Sequence, residues 1–340
     1  MQLDFINELN KVVDYSALDK KYVIREGFVF EAIRYPANVY NAIVVRSPES
    51  ARAWGEGRYV SEHSLEEHIN LINTYQLESA VIIAEDLNFL KQCPSLKHIN
   101  VIPAESVDFN FDFTPIYEHP EIRSIFCSTF FGKFFQNRSE IDYSQIHGLV
   151  DLRVTSSSHL NFHQVQTLKS LEVVDIPAKN LRELFCSQSL DTLQITASKI
   201  QTLDGIGLSS AMQCLYLNYN RSLQDISALC EVKSSLRSLR IENCSKITDF
   251  SVLRELKNLE HLKLTGRNKL SDLSFVRDLP NLKTFIFDVE VLDGDLTPCL
   301  GLSYVHCSKM KKYYNVKPKD LPKGQYYRGN DNIAIWRRVQ

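Results

Sequence analysis

His159 and His163 stand four residues apart in HLNFH, the spacing that would set two metal ligands on one helix face, but no third ligand accompanies them. The chain has eight cysteines, Cys93, Cys127, Cys186, Cys214, Cys230, Cys244, Cys299 and Cys307, with no CxxC and no local cysteine–histidine nucleophile signature. Asp225-x-Ser227, Asp249-x-Ser251 and Asp272-x-Ser274 form an acidic series that a cation would find attractive. Asp and Ser at one recurring place are also the residues that cap backbone N–H groups at a helical turn, and that role is expected here. No P-loop, GxGxxG, HExxH or GxSxG occurs. Arg52, Trp54, Glu56, Arg58 and Tyr59 crowd a glycine-containing loop, which partner contact or packing explains as well as chemistry does. No catalytic residue, metal or cofactor is therefore expected.

The elements that would position side chains come from a repeat. MQCLYLNYNRSLQDISAL from Met212, LRSLRIENCSKITDFSVL from Leu236 and LEHLKLTGRNKLSDLSFV from Leu259 share one pattern. Apolar residues take the first, fourth and sixth places, then the twelfth, fifteenth and eighteenth. The first run alternates like a strand, and the second has a different spacing across a polar corner, so each copy is one coil of chain. Strand segments are expected to begin at Leu77, Leu96, Ile122, Leu149, Leu171, Leu190, Met212, Leu236, Leu259, Leu282 and Leu302. Their separations fall within the period of one repeat class, and a single coil cannot bury both apolar runs, so the coils must stack.

These residues resemble leucine-rich-repeat proteins, whose coil begins LxxLxLxxN, and LQDISAL, ITDFSVL and LSDLSFV are similar to the internalin and SDS22-like class. The resemblance implies an α/β solenoid, a horseshoe with a parallel β-sheet on its concave face. The family's asparagine place holds Asn220 and Cys244, but Ser198 and Arg267 in flanking coils, so its hydrogen-bonded ladder is expected to be mostly missing. Residues 1–76 are expected to form a small α+β N-terminal cap, 77–307 about eleven repeats, and 308–340 a basic C-terminal cap with a final β-strand. Within the first region a helix is expected through DFINELNKVV, strands through YVIREGFVFEAIRY and YNAIVVR, and a helix started by the capping box at Ser64–Glu67.

Outward positions of the strands would build the concave face. They collect Arg153, Asp175, Gln194, Tyr216, Asn218, Tyr219, Arg240, Glu242, Lys263 and His306, with Phe126, Ile286, Asn243 and Asp288 beside them. Tyrosine and arginine are the types that dominate protein interfaces, so these residues are expected to bind a protein partner. From Gly301 onward nine Lys or Arg stand against two acids, which leaves the first 300 residues at −9 within a net charge of −2. An acidic body points away from nucleic acid and towards a basic partner such as a toxin, and the two roles expected are a regulator that docks on an enzyme or an immunity-type protein that masks a toxin. No apolar run is long enough for a membrane span, and the amino-terminal stretch reads as neither leader nor anchor, so a cytoplasmic protein is expected. The competing class is an enzyme with its chemistry in residues 1–76 or in the 103–148 insertions.

Overall fold

The computed structural model describes residues 22–34, 39–46, 62–103, 111–127, 140–155, 159–185 and 187–324. The expected first helix, the loop carrying Arg52 to Tyr59, the phenylalanine-rich insertion at 130–135 and the final strand lie outside the described residues. The chain divides into two compact units, Met1–Ser170 with Arg337–Gln340, and Leu171–Trp336.

In the first unit β1 (Tyr22–Arg25), β2 (Phe28–Arg34) and β3 (Val39–Arg46) run antiparallel. The two-residue turn Glu26-Gly27 has φ of 49° and 80°, the left-handed pair whose twist suits a tight hairpin. From β3 onward the pairing is parallel, through β4 (Ser79–Ala84), β5 (His98–Pro103), β6 (Ser124–Cys127) and β7 (Asp151–Thr155). The helix α1 (Leu65–Tyr75) enters between β3 and β4 through the expected capping box. Ser64 Oγ accepts from Glu67 N, and the Glu67 carboxylate accepts from Ser64 N at 2.7 Å. Its Ile69 and Ile72 are buried.

The second unit continues as β8 (Ser170–Val174, in this unit from Leu171), β9 (Thr192–Thr196), β10 (Cys214–Asn218), β11 (Ser238–Glu242), β12 (His261–Thr265), β13 (Thr284–Phe287) and β14 (Tyr304–Cys307). From β9 to β14 neighbouring strands pair in parallel with no slip, so equal places of successive coils form straight rows. The first, fourth and sixth places point into the core. Leu236, Leu239 and Leu259 are fully buried, each contributing about 2 kcal/mol by leaving water. The return half of each coil is a 3₁₀ turn, as at Ser227–Val232, Ser251–Glu255 and Ser274–Asp278. Asp225, Asp249 and Asp272 each accept a backbone N–H from the serine two residues on, at 2.8, 2.8 and 2.7 Å, which is the capping role expected of that series.

Two readings of the sequence are corrected here. Asparagine itself stands at only two places, but a ladder runs over four coils of the second unit, carried by mixed residue types. Ser198 Oγ accepts from Ile176 N, and Asn220 bridges Ser198 N and the Ile195 carbonyl. Cys244 Sγ lies 3.7 Å from the Leu217 carbonyl, and Asn268, not Arg267, donates to the Cys244 and Ile247 carbonyls. The coil containing β8 also begins three residues early. Leu168, Leu171 and Val173 are its fully buried inward set, not Leu171, Val174 and Ile176.

Candidate strand-face site

Register decides which of the expected side chains share a face. In the second unit Gln194, Tyr216, Arg240, Lys263, Ile286 and His306 are consecutive register partners and make one row across β9 to β14. Asn218 and Glu242 lie in the adjacent row, two residues further along each strand. Asp175 is not in the row. Because of the early start of its coil the place belongs to Glu172, whose carboxylate accepts from Gln194 Nε2 at 2.9 Å, and Asp175 sits past the strand end in the left-handed region. Tyr219 and Asn243 occupy that same strand-end position in their own coils. Arg153 belongs to the first unit, paired in register with Phe126 and with its guanidinium 4.4 Å from the centre of that ring.

The row is held by its own contacts. Arg240 lies over the Tyr216 ring at 5.7 Å, and Lys263 Nζ is 3.1 Å from the Glu242 carboxylate. Exposure varies along the row: Arg240 is 2% exposed, Gln194 6% and Ile286 8%, Tyr216, Asn218, Glu242 and Lys263 are half-buried, and His306 and Tyr219 are exposed. Gln194 Oε1 and Thr196 Oγ1 are buried without a hydrogen-bond donor among the described residues. The third place of the coil supplies another row, Thr192, Cys214, Ser238, His261, Thr284 and Tyr304, which sequence reasoning left out. Burial there depresses the His261 pKa to about 4, so its imidazole is neutral at ordinary pH.

The same third place in the first unit gathers a polar chain that no motif announced. Tyr40 stacks on His98 at 3.8 Å, His98 Nδ1 is 2.8 Å from Ser124 Oγ, and Ser124 donates to Asp151 at 3.1 Å. A serine nucleophile needs its proton taken by the imidazole, whereas here the proton goes to the carboxylate. Ser124 is fully buried, Asp151 nearly so, and burial pushes the His98 pKa down to about 4. The arrangement satisfies buried polar groups. The buried cysteines likewise read as packing: burial pushes the thiols of Cys93, Cys214 and Cys244 up to about 11 and those of Cys127 and Cys299 up to about 12, away from the reactive thiolate. His159 lies on a short strand and His163 on a 3₁₀ turn, so the two do not share a helix face. Among the described residues no group of three or more His, Cys, Asp or Glu is placed to hold a metal ion, and no helix is long and apolar enough to cross a membrane.

The comparisons with known proteins agree with this geometry. Residues 234–281 match the family model described as leucine-rich repeats in two copies. Among solved structures, an internalin from Listeria monocytogenes superposes with a TM-score of 0.52 over 95% of this chain and 97% of its own, at 14% identity. No curated protein matches the sequence. At that identity the structural likeness speaks for the fold alone.

Proposed function

Because the chain is a leucine-rich-repeat protein, we propose that it is a non-catalytic binding module whose partner protein docks on the strand face of the second unit. The observation that carries this reading is the in-register row Gln194, Tyr216, Arg240, Lys263, Ile286 and His306. A parallel sheet needs its inward leucines, and packing accounts for the buried Gln194 and Arg240, but folding does not ask for the half-buried phenol of Tyr216, the amine of Lys263 and the exposed imidazole of His306 on the other face. The row is also pre-ordered by the Arg240–Tyr216 and Lys263–Glu242 contacts, which lowers the entropy lost on docking. The partner in this reading is a basic protein, matched to the −9 carried by the first 300 residues, and the role is that of a cytoplasmic regulator or immunity-type inhibitor that covers it.

The test captures the partner from the source cell with the intact chain and then measures its Kd against Tyr216→Ala/His306→Ala. Neither site carries the burial of Arg240, so the fold is expected to survive. Binding about tenfold weaker or worse, some 1.4 kcal/mol, is the expected result. An unchanged Kd with an unchanged melting temperature would move the interface off this face.

A further inference from the structure

We infer that the rim of this face carries a notch that receives an arginine side chain of the partner, an inference that rests on the protein-binding reading above and adds the chemistry of one contact. At the end of each of β8 to β11 the backbone turns through positive φ: Asp175 (55°), Ala197 (54°), Tyr219 (53°) and Asn243 (56°), with Gly266 (132°) following β12. Each N–H of the first four donates to the neighbouring coil, Asp175 to the Thr196 carbonyl, Ala197 to Asn218, Tyr219 to Glu242 and Asn243 to Thr265, at 2.8–3.0 Å. The four therefore stay aligned, spaced like the strands at about 4.8 Å per coil.

Glycine, asparagine and aspartate suit the left-handed region, because a larger Cβ substituent crowds the backbone there. Gly266, Asn243 and Asp175 obey that preference. Ala197 and Tyr219 do not, and Tyr219, 48% exposed, packs on no described aromatic or cationic group, so folding gives no reason for a tyrosine at this place. One coil away Ala197 presents only a methyl group. One coil further stands the exposed carboxylate of Asp175, which has no cation beside it among the described residues. The carboxylate of Asp175 and the phenol of Tyr219 thus occupy equal places two coils apart, about 10 Å, with the small Ala197 between them. A guanidinium fills such a gap in two ways at once, flat against the ring and forked onto the carboxylate. A lysine ammonium has no plane to stack and no fork. The single negative charge of the notch matches the basic partner proposed above.

The experiment follows a fluorescent oligo-arginine peptide by anisotropy, with oligo-lysine and oligo-citrulline peptides of equal length, against the full chain. Asp175→Asn and Tyr219→Asn should each weaken the arginine peptide about tenfold. Asp204→Asn, the same charge change at an exposed site off the rim, should leave it within about twofold, and citrulline should not bind. Tyr219→Asn should melt no lower than the wild type, since asparagine fits the backbone better. Equal losses in Asp204→Asn, lysine binding as tightly as arginine, or unaffected rim variants would each overturn the notch. If the rim variants release the arginine peptide while Tyr216→Ala/His306→Ala keeps the native partner, the notch stands and the strand-face reading falls; the reverse pattern removes the notch alone.

Discussion

Asn220→Ala tests whether the second unit is held across its coils by side chains as well as by strands. Asn220 is fully buried between two coils, its Nδ2 donating to the Ile195 carbonyl at 2.8 Å and its Oδ1 accepting from Ser198 N at 3.0 Å. Truncation leaves the Ser198 N–H buried without an acceptor, at a cost of about 2 kcal/mol, and removes a bond from a buried carbonyl for about 1 more. The expected loss is about 3 kcal/mol. Cys244→Ala, at the equivalent place of the next coil, provides the internal comparison. Its thiol lies 3.7 and 3.5 Å from the Leu217 and Glu242 carbonyls and meets the Asn220 amide only as a weak sulfur acceptor, so the expected loss is about 1 kcal/mol. Urea titration measures both values, and hydrogen exchange of a peptide spanning Ser198 assigns the change to this unit. Equal losses in the two variants, or an Asn220→Ala loss below about 1 kcal/mol, would refute the reasoning and leave the strand ladder as the main tie between coils.

Acid should weaken both units through buried imidazoles. Burial holds His98 and His261 at about 4 against 6.5 when unfolded. The unfolded chain therefore takes up protons below pH 6.5 that the folded chain refuses until about pH 4. Stability from these groups is complete above pH 6.5 and is lost as the pH falls from there to 4, by up to about 3 kcal/mol for each histidine. Urea midpoints at pH 7.5 and 4.5 read the loss; His261→Gln should shrink it, and an unchanged shift would mean that other groups sense the acid. In the first unit Ser64→Ala removes the side-chain acceptor of Glu67 N and should cost about 1 kcal/mol, seen as faster exchange over Leu65–Tyr75. Exchange as slow as in the wild type would show that packing of Ile69 and Ile72 alone sets the helix.

The candidate face was legible wherever the pattern was clean. Tyr216, Arg240 and Lys263 fall on one row because Leu215-x-Leu217, Leu239-x-Ile241 and Leu262-x-Leu264 each fix which residue between them faces outward. Accessibility was not legible in the same way. Arg240 and Lys263 occupy the same place in adjacent coils, yet one is 2% exposed and the other half-buried, a difference that one-dimensional spacing does not encode. The Tyr40–His98–Ser124–Asp151 chain was invisible for a related reason. Its members are brought together by stacking and lie up to 111 residues apart.

By itself the sequence determined the coil, its period, its inward leucines and its Asp-x-Ser corners, because each of these is a local pattern whose burial or hydrogen bonding is satisfied within one or two coils. Tertiary structure decided the register of the coil at β8. Leu168, Leu171 and Val173 fit the LxxLxL pattern as well as Leu171, Val174 and Ile176 do, since a shift of three residues preserves the apolar spacing. Only pairing with the neighbouring strand separates the two, and it moves Glu172 onto the face and Asp175 out to the rim. The left-handed backbone at Tyr219 likewise exists only where one coil hands its chain to the next.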